Sequence, residues 1–101
     1  MQVQDKLREK AALVAQGGGR TYKPGAGTLT IGPGGTVPAG VFLARSPVAE
    51  LVWENGGHVL KKISLLGKVT VNGESTDGQR PLRPGDRIQV GSAQFTYELT
   101  S

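Results

Sequence analysis

The stretch Leu82-Arg83-Pro84-Gly85-Asp86-Arg87-Ile88-Gln89-Val90-Gly91-Ser92-Ala93-Gln94-Phe95-Thr96-Tyr97-Glu98-Leu99 puts Ile88 and Val90, then Phe95 and Tyr97, at alternate positions of two short runs. A period of two is the signature of a strand with one buried face, because successive side chains point to opposite sides. Pro84-Gly85-Asp86 ahead of the first run is turn chemistry, and Gly91-Ser92-Ala93 between the runs is short enough for a tight hairpin. The reading predicts strands over 87–90 and 94–99.

The same pattern extends upstream as far as Arg20. Thr28-Leu29-Thr30-Ile31 alternates polar and apolar and stops at the turn cluster Gly32-Pro33-Gly34-Gly35. Val41-Phe42-Leu43-Ala44 reads as a further strand, and Glu50-Leu51-Val52-Trp53-Glu54 is closed by Asn55-Gly56-Gly57, with His58-Val59-Leu60-Lys61-Lys62-Ile63 as its partner. Lys68-Val69-Thr70-Val71 then meets Asn72-Gly73. Asn-Gly after an apolar run signals a hairpin, since both residues tolerate positive φ. Strands recurring every eight to twelve residues or so, with no helix between them to make parallel crossovers, indicate an antiparallel β-sandwich or barrel. Alternation assigns Leu29, Ile31, Leu51, Trp53, Val59, Val69, Val71, Ile88, Val90, Phe95 and Tyr97 to the core.

Residues 2–16 differ in kind. They contain no Gly or Pro, are rich in helix formers, and place Val3, Leu7, Ala11 and Val14 on one stripe of a helix. Three glycines, Gly17 to Gly19, then end the pattern. The expected organisation is an N-terminal helix and glycine linker over 1–19, followed by a mostly β body over 20–101.

A chain of 101 residues has room for one core. It has no cysteine, which excludes disulfides and thiolate metal sites and suits a reducing, cytoplasmic setting. No apolar run is long enough to span a bilayer, and the charged opening is unlike a secretory signal. Twelve basic against eight acidic residues give a net charge of +4, with the bases scattered and only Lys61 and Lys62 adjacent beyond residue 20. That distribution reads as ordinary solubility, because a nucleic-acid footprint shows a denser stripe with interleaved aromatics.

Two anchors together resemble the forkhead-associated (FHA) domain, a β-sandwich known for reading phosphothreonine. One is Leu29-Thr30-Ile31-Gly32. The other is Val71-Asn72-Gly73 followed by Leu82-Arg83-Pro84-Gly85-Asp86-Arg87-Ile88-Gln89-Val90-Gly91 and Phe95-Thr96-Tyr97, similar to the family's Val-Asn-Gly, Leu-x-x-Gly-Asp-x-Ile-x-x-Gly and closing Phe strand. The pattern spans roughly 28–99 and is also similar to degenerate versions of the fold in bacterial proteins. The family's phosphate-binding residues do not carry over. Pro33 stands where an Arg follows Ile-Gly, and it offers neither a guanidinium fork nor a backbone donor. Arg45-Ser46-Pro47 occupies the place of Ser-Arg-x-His and lacks the histidine. Leu66-Gly67-Lys68-Val69 replaces Asn-Gly-Thr. Capture of a phosphate needs several converging donors, and one Arg-Ser pair supplies too few.

Other chemistry has little to work with. His58 stands alone and reads as a solvated strand-start residue with no nucleophile or carboxylate motif around it. Gly32-Pro33-Gly34-Gly35 lacks the Lys-Ser/Thr ending and following helix of a phosphate cradle. Asp86 is a turn residue, and no cluster suits a metal. The segment from Gly67 to Glu74 with Arg83 to Ile88 is also similar to the β-half of the S4 RNA-binding domain, in which Lys61, Lys62, Lys68 and Arg87 would face phosphates. That family needs two preceding helices, which Asn55-Gly56-Gly57 interrupts.

The expectation is therefore an FHA-like antiparallel β-sandwich with a short N-terminal helix. It would act without catalysis, cofactor or metal as a protein-interaction or scaffolding module, through a protein partner or self-association. Its contacts would come from loops at one end, carried by Gly32, Arg45, Ser46, Gly67 and Lys68. Residual phosphopeptide binding through Arg45 and Ser46, and RNA binding through the basic set, are the alternatives.

Overall fold

The computed structural model describes residues 8–17, 20–25, 27–76 and 78–99. Ten strands run in chain order: β1 (Ala11–Ala15), β2 (Thr21–Tyr22), β3 (Leu29–Ile31), β4 (Ala49–Glu54), β5 (Gly57–Lys62), β6 (Val69–Val71), β7 (Glu74–Ser75), β8 (Gln79–Pro81), β9 (Arg87–Val90) and β10 (Ala93–Leu99). They form a six-stranded sheet, β2-β1-β10-β9-β6-β7, and a four-stranded sheet, β3-β4-β5-β8. Every pairing between these strands is antiparallel. The structure is an antiparallel β-sandwich, as the alternation and its turn residues imply.

Turn chemistry sets the registers. Asn55 and Gly56, with φ of 53° and 80°, make a two-residue connection that leaves Glu54 opposite Gly57. Asn72 and Gly73, at 53° and 84°, do the same between β6 and β7. Positive φ at both central residues gives a twist that matches the strands, and Asn and Gly are the residues that tolerate it. Between the sheets lie Leu29, Ile31, Leu51, Leu60, Val69, Val71, Ile88, Val90, Phe95 and Tyr97, all buried. Fully burying an aliphatic or aromatic side chain is worth roughly 1.5–3 kcal/mol, so this layer is the main stabilising element.

Four readings of the sequence are corrected. Ala11–Ala15 is not the end of a helix but strand β1, paired along its whole length with β10 from Ala11↔Leu99 to Ala15↔Phe95. Residues 8–10 are helical, and the expected helix over 1–7 lies outside the described residues. Helix-forming composition was outweighed here by pairing with an open edge of the sheet, which propensity alone does not register. The supposed apolar stripe dissolves with it, since Ala11 and Val14 are strand residues and Val3 and Leu7 lie outside the described part. The sandwich takes in Ala11–Ala15 as well as the chain beyond Arg20.

Val41-Phe42-Leu43-Ala44 is not a strand but a turn, closed by Ala44 N–H donating to the Val41 carbonyl at 3.1 Å. In β5 the face is shifted by one residue. Leu60 lies opposite Leu51 and His58 opposite Trp53, so the inward positions are 58 and 60, and Val59 is buried on the other face between Val52 and Pro81. A shift of one residue exchanges the two faces of a strand. Trp53 is half-buried rather than a core residue.

Candidate functional site: the loop rim

The two ends of the sandwich are built differently. At one end the strands turn through Asn55-Gly56 and Asn72-Gly73, and at the other lie the 32–48 and 63–68 connections and the Gly91-Ser92 turn. The sequence-predicted contact residues Gly32, Arg45, Ser46, Gly67 and Lys68 all belong to this second end, the loop rim.

The connections at the rim are pressed together through glycine. Gly32 has φ of 135°, and a Cβ there would lie 2.9 Å from Pro47 Cα and from Val48 N. Only a residue without a side chain lets the 32–35 loop pack on the backbone that follows Arg45 and Ser46. A Cβ on Gly67 would run into Val41, and Val48 is close by. Backbone bonds complete the assembly: Val48 N–H to Ile31 O at 2.9 Å, Ile63 N–H to Val48 O at 2.9 Å, Gly91 N–H to Lys68 O at 3.0 Å and Ser92 N–H to Gly40 O at 3.1 Å. The structure thus brings together the three segments carrying the five residues.

Their donors do not converge in the same way. Within the first loop, Gly32 N–H donates to Val37 O at 3.0 Å and Gly35 N–H to Gly32 O at 3.1 Å, while Pro33 has no N–H. Thr30 Oγ1 accepts from Thr36 N–H at 2.9 Å. The loop spends these backbone donors on itself, which leaves little of the N–H nest that anion binding requires. Arg45, Ser46 and Lys68 are exposed, and among the described residues Arg45 and Lys68 form no ion pair.

Sequence reasoning missed the apolar character of the rim. Phe42 and Leu43 sit at the tip of the 41–44 turn, and Leu65 and Leu66 at the tip of the neighbouring loop, where Leu66 N–H donates to Ser64 Oγ at 3.1 Å. All four are exposed. The signal was present in Leu65-Leu66 between Ser64 and Gly67, an apolar pair in a connection too short and too glycine-bound to be a strand.

His58 is the second finding. It is fully buried, with Nε2 2.8 Å from Gly25 O and Nδ1 2.6 Å from the Tyr97 hydroxyl. A carbonyl only accepts, so Nε2 carries the proton and Nδ1 of the neutral ring accepts from Tyr97. Burial lowers the His58 pKa from its ordinary value and raises that of Tyr97. Trp53 meets the imidazole edge-on at 4.8 Å. His58 belongs to β5 and Tyr97 to β10, so the bond ties the two sheets together near the turn end. Its role is structural, not that of a solvated strand-start residue.

The basic set invoked for RNA is divided. Lys61 is ion-paired with Glu54 on the outer side of the four-stranded sheet, whereas Arg87 alternates with the buried Ile88 on the outer side of the six-stranded one. That six-stranded face forms a shallow polar concavity of about 890 Å3, bordered by Thr70, Arg87, Gln89, Gln94, Thr96 and Glu98. The described residues hold no group of three or more His, Asp or Glu able to bind a metal, and no described helix is long and apolar enough to cross a membrane.

Comparison with solved structures returns FHA folds. The chain superposes on an FHA domain from a study of phosphothreonine-dependent FHA interactions with a TM-score of 0.76 and 21% identity, covering 91% of this chain and 98% of that one. It is similar to part of Mycobacterium tuberculosis EmbR, solved with a low-affinity phosphopeptide, with a TM-score of 0.78 and 21% identity over 91% of this chain and 25% of EmbR. The FHA domain of CT664 from Chlamydia trachomatis gives a TM-score of 0.78 at 13% identity, covering 91% and 99% of the two chains. No family model and no curated protein matches the sequence. At these identities the likeness establishes the FHA fold, in agreement with the sequence anchors, and the function has to be argued from the rim.

Proposed function

We propose that this chain is a non-catalytic protein-interaction or scaffolding module of FHA fold that meets its partners through the loop rim and does not read phosphothreonine by the family's route. The observation that carries this is the packing of Gly32 on Pro47 and Val48 and of Gly67 on Val41. It draws the three connections together, while the Gly32 and Gly35 N–H groups of the first loop are spent within that loop. FHA neighbours studied with phosphopeptides support an interaction role in general. Pro33, Leu66 and Lys68, at the places where the phosphate donors would stand, argue against the phosphate-dependent version of that role.

Self-association by strand addition has less support. The edge strands β2 and β7 have two residues each, β3 and β8 have three, and β8 ends in Pro81. Short edges and proline are devices that discourage edge pairing.

Titration with phosphothreonine peptides and with RNA, each at two salt concentrations, tests the proposal. The expected result is no saturable, phosphate-dependent peptide binding and no steeply salt-dependent RNA binding. Phosphate-dependent affinity that disappears in Arg45→Ala would overturn the reading in favour of residual phosphopeptide recognition. RNA affinity that collapses with salt would favour the basic-surface alternative.

A further inference from the structure

Large apolar side chains at the tips of two rim loops are left to water, Phe42 at 87% exposure, Leu43 at 72%, Leu65 at 100% and Leu66 at 44%, and Ile63 at the start of the second loop is exposed at 49%. Scattered exposed leucines are ordinary, but clustered ones mark contact sites. These are clustered, because the loop carrying Leu65 and Leu66 continues into Gly67, which lies against Val41, the residue preceding Phe42. Leu43 has φ of 68° as the third residue of its turn, a position that normally takes Gly or Asn. The chain holds a bulky apolar residue in an unfavourable backbone conformation and points it at solvent, which is where strain accompanies function.

The segments that carry this cluster bear cations and no carboxylate. No Asp or Glu occurs between Ile31 and Ala49 or between Lys62 and Gly73, whereas these stretches contain Arg45, Lys62 and Lys68. The nearest carboxylate on β4, Glu50, stands in register with Lys61 along the sheet. Glu54, Glu74, Asp86 and Glu98 are all placed toward the turn end by their registers. A second copy meeting this one rim to rim offers the same cations, so like would face like. A side chain as exposed as Leu65 cannot line a groove, so the rim presents projections. Apolar projections flanked by Arg45 and Lys68 suit a surface that is soft, apolar inside and anionic outside.

We infer that the rim seats on an anionic lipid bilayer, with Phe42, Leu43, Leu65 and Leu66 entering the boundary between headgroups and acyl chains and Arg45 and Lys68 meeting the headgroup phosphates. The inference rests on the reading of the rim as the contact end and names what lies against it. The module then scaffolds at a membrane surface.

Co-sedimentation of the full chain with phosphatidylcholine vesicles, with and without phosphatidylglycerol, tests it at low and high salt. Binding is expected only with phosphatidylglycerol. The double variant Phe42→Ser/Leu65→Ser is expected to bind at least about tenfold more weakly, from the apolar area it withholds. Arg45→Ala/Lys68→Ala is expected to lose roughly fivefold per base and much of the salt dependence. Arg83→Ala/Arg87→Ala, away from the rim, should bind as the parent does. Unchanged thermal melts verify that each variant is folded. Absence of binding to phosphatidylglycerol vesicles, adsorption indifferent to Phe42→Ser/Leu65→Ser, equal loss in Arg83→Ala/Arg87→Ala, or a concentration-dependent dimer abolished by Phe42→Ser/Leu65→Ser would each overturn the inference. None of these outcomes alters the peptide and RNA titrations on which the module reading stands.

Discussion

At the turn end of the sandwich charged side chains are bonded to one another, whereas at the loop rim, among the described residues, Arg45 and Lys68 form no ion pair. Asn72 Nδ2 donates to Asp86 Oδ1 at 3.0 Å, Arg87 N–H donates to Asn72 Oδ1 at 2.9 Å, and Arg83 N–H donates to Asp86 Oδ2 at 2.9 Å. Arg80 pairs with Glu74 at 3.1 Å and Lys61 with Glu54. His58 and Tyr97 close the gap between the sheets. The rim is held instead by backbone contacts that only glycine permits, and its side chains are left over: Arg45, Lys68, Phe42 and Leu65. Charge and apolar area left unused at one end, and pairing concentrated at the other, are what the proposed division into a contact end and a stabilising end rests on.

The sharpest way to break this contrast is at the turn end. His58→Ala should cost about 2–4 kcal/mol in urea denaturation, because it opens a cavity and leaves the buried Tyr97 hydroxyl without its acceptor. A loss below about 0.5 kcal/mol, the range of ordinary surface substitutions, would show that the two sheets do not depend on that bond.

Gly32→Ala should follow, at about 1–3 kcal/mol, since its φ of 135° is unfavourable for alanine and its Cβ meets backbone rather than a yielding side chain. The accompanying expectation is that rim amide resonances shift while those around Asn72 stay in place. Asp86→Ala comes next, at about 1–2 kcal/mol, for two hydrogen bonds at a half-buried carboxylate.

Acid should act at the same end. His58 is held neutral, so its pKa in the folded chain lies below the 6.5 of the unfolded chain. The unfolded state therefore binds the extra proton first as pH falls. The stability associated with neutral His58 is complete above pH 6.5 and is lost progressively as pH drops below it toward the folded-state pKa. Melting temperatures measured downward from neutral pH should show this slope, and it should be absent in His58→Ala.

The smallest effects belong to the rim. Phe42→Ser and Arg45→Ala should each change stability by less than about 0.5 kcal/mol, as surface substitutions do, and a larger loss would mean that these side chains serve the fold.

What could be read in advance divides along the same line. The turn end was legible because Asn-Gly and Pro-Gly-Asp encode their backbone conformations locally, and alternation in Leu29 to Ile31, Val69 to Val71 and Ile88 to Tyr97 reports the core face directly. Ala11–Ala15 was not legible, since a run of alanine, leucine and valine suits helix or strand and the decision came from β10, some eighty residues away. Val41-Phe42-Leu43-Ala44 had strand composition but no partner, and a glycine contact at Gly67 held it in a turn. His58 was misplaced by a one-residue shift that only its opposition to Trp53 reveals. The rim residues were located by position in the chain, whereas their chemistry, apolar and cationic together, emerged once the loops were seen side by side.

The central proposal is that contact is made at the rim, and backbone amide shifts on adding phosphatidylglycerol-containing nanodiscs to the labelled chain test it directly. The account predicts shifts and broadening confined to residues 32–48 and 63–68, with Trp53, Asn72 and Arg87 unmoved. Perturbation centred on the Asn55-Gly56 and Asn72-Gly73 turns, or spread evenly over both sheets, would contradict it.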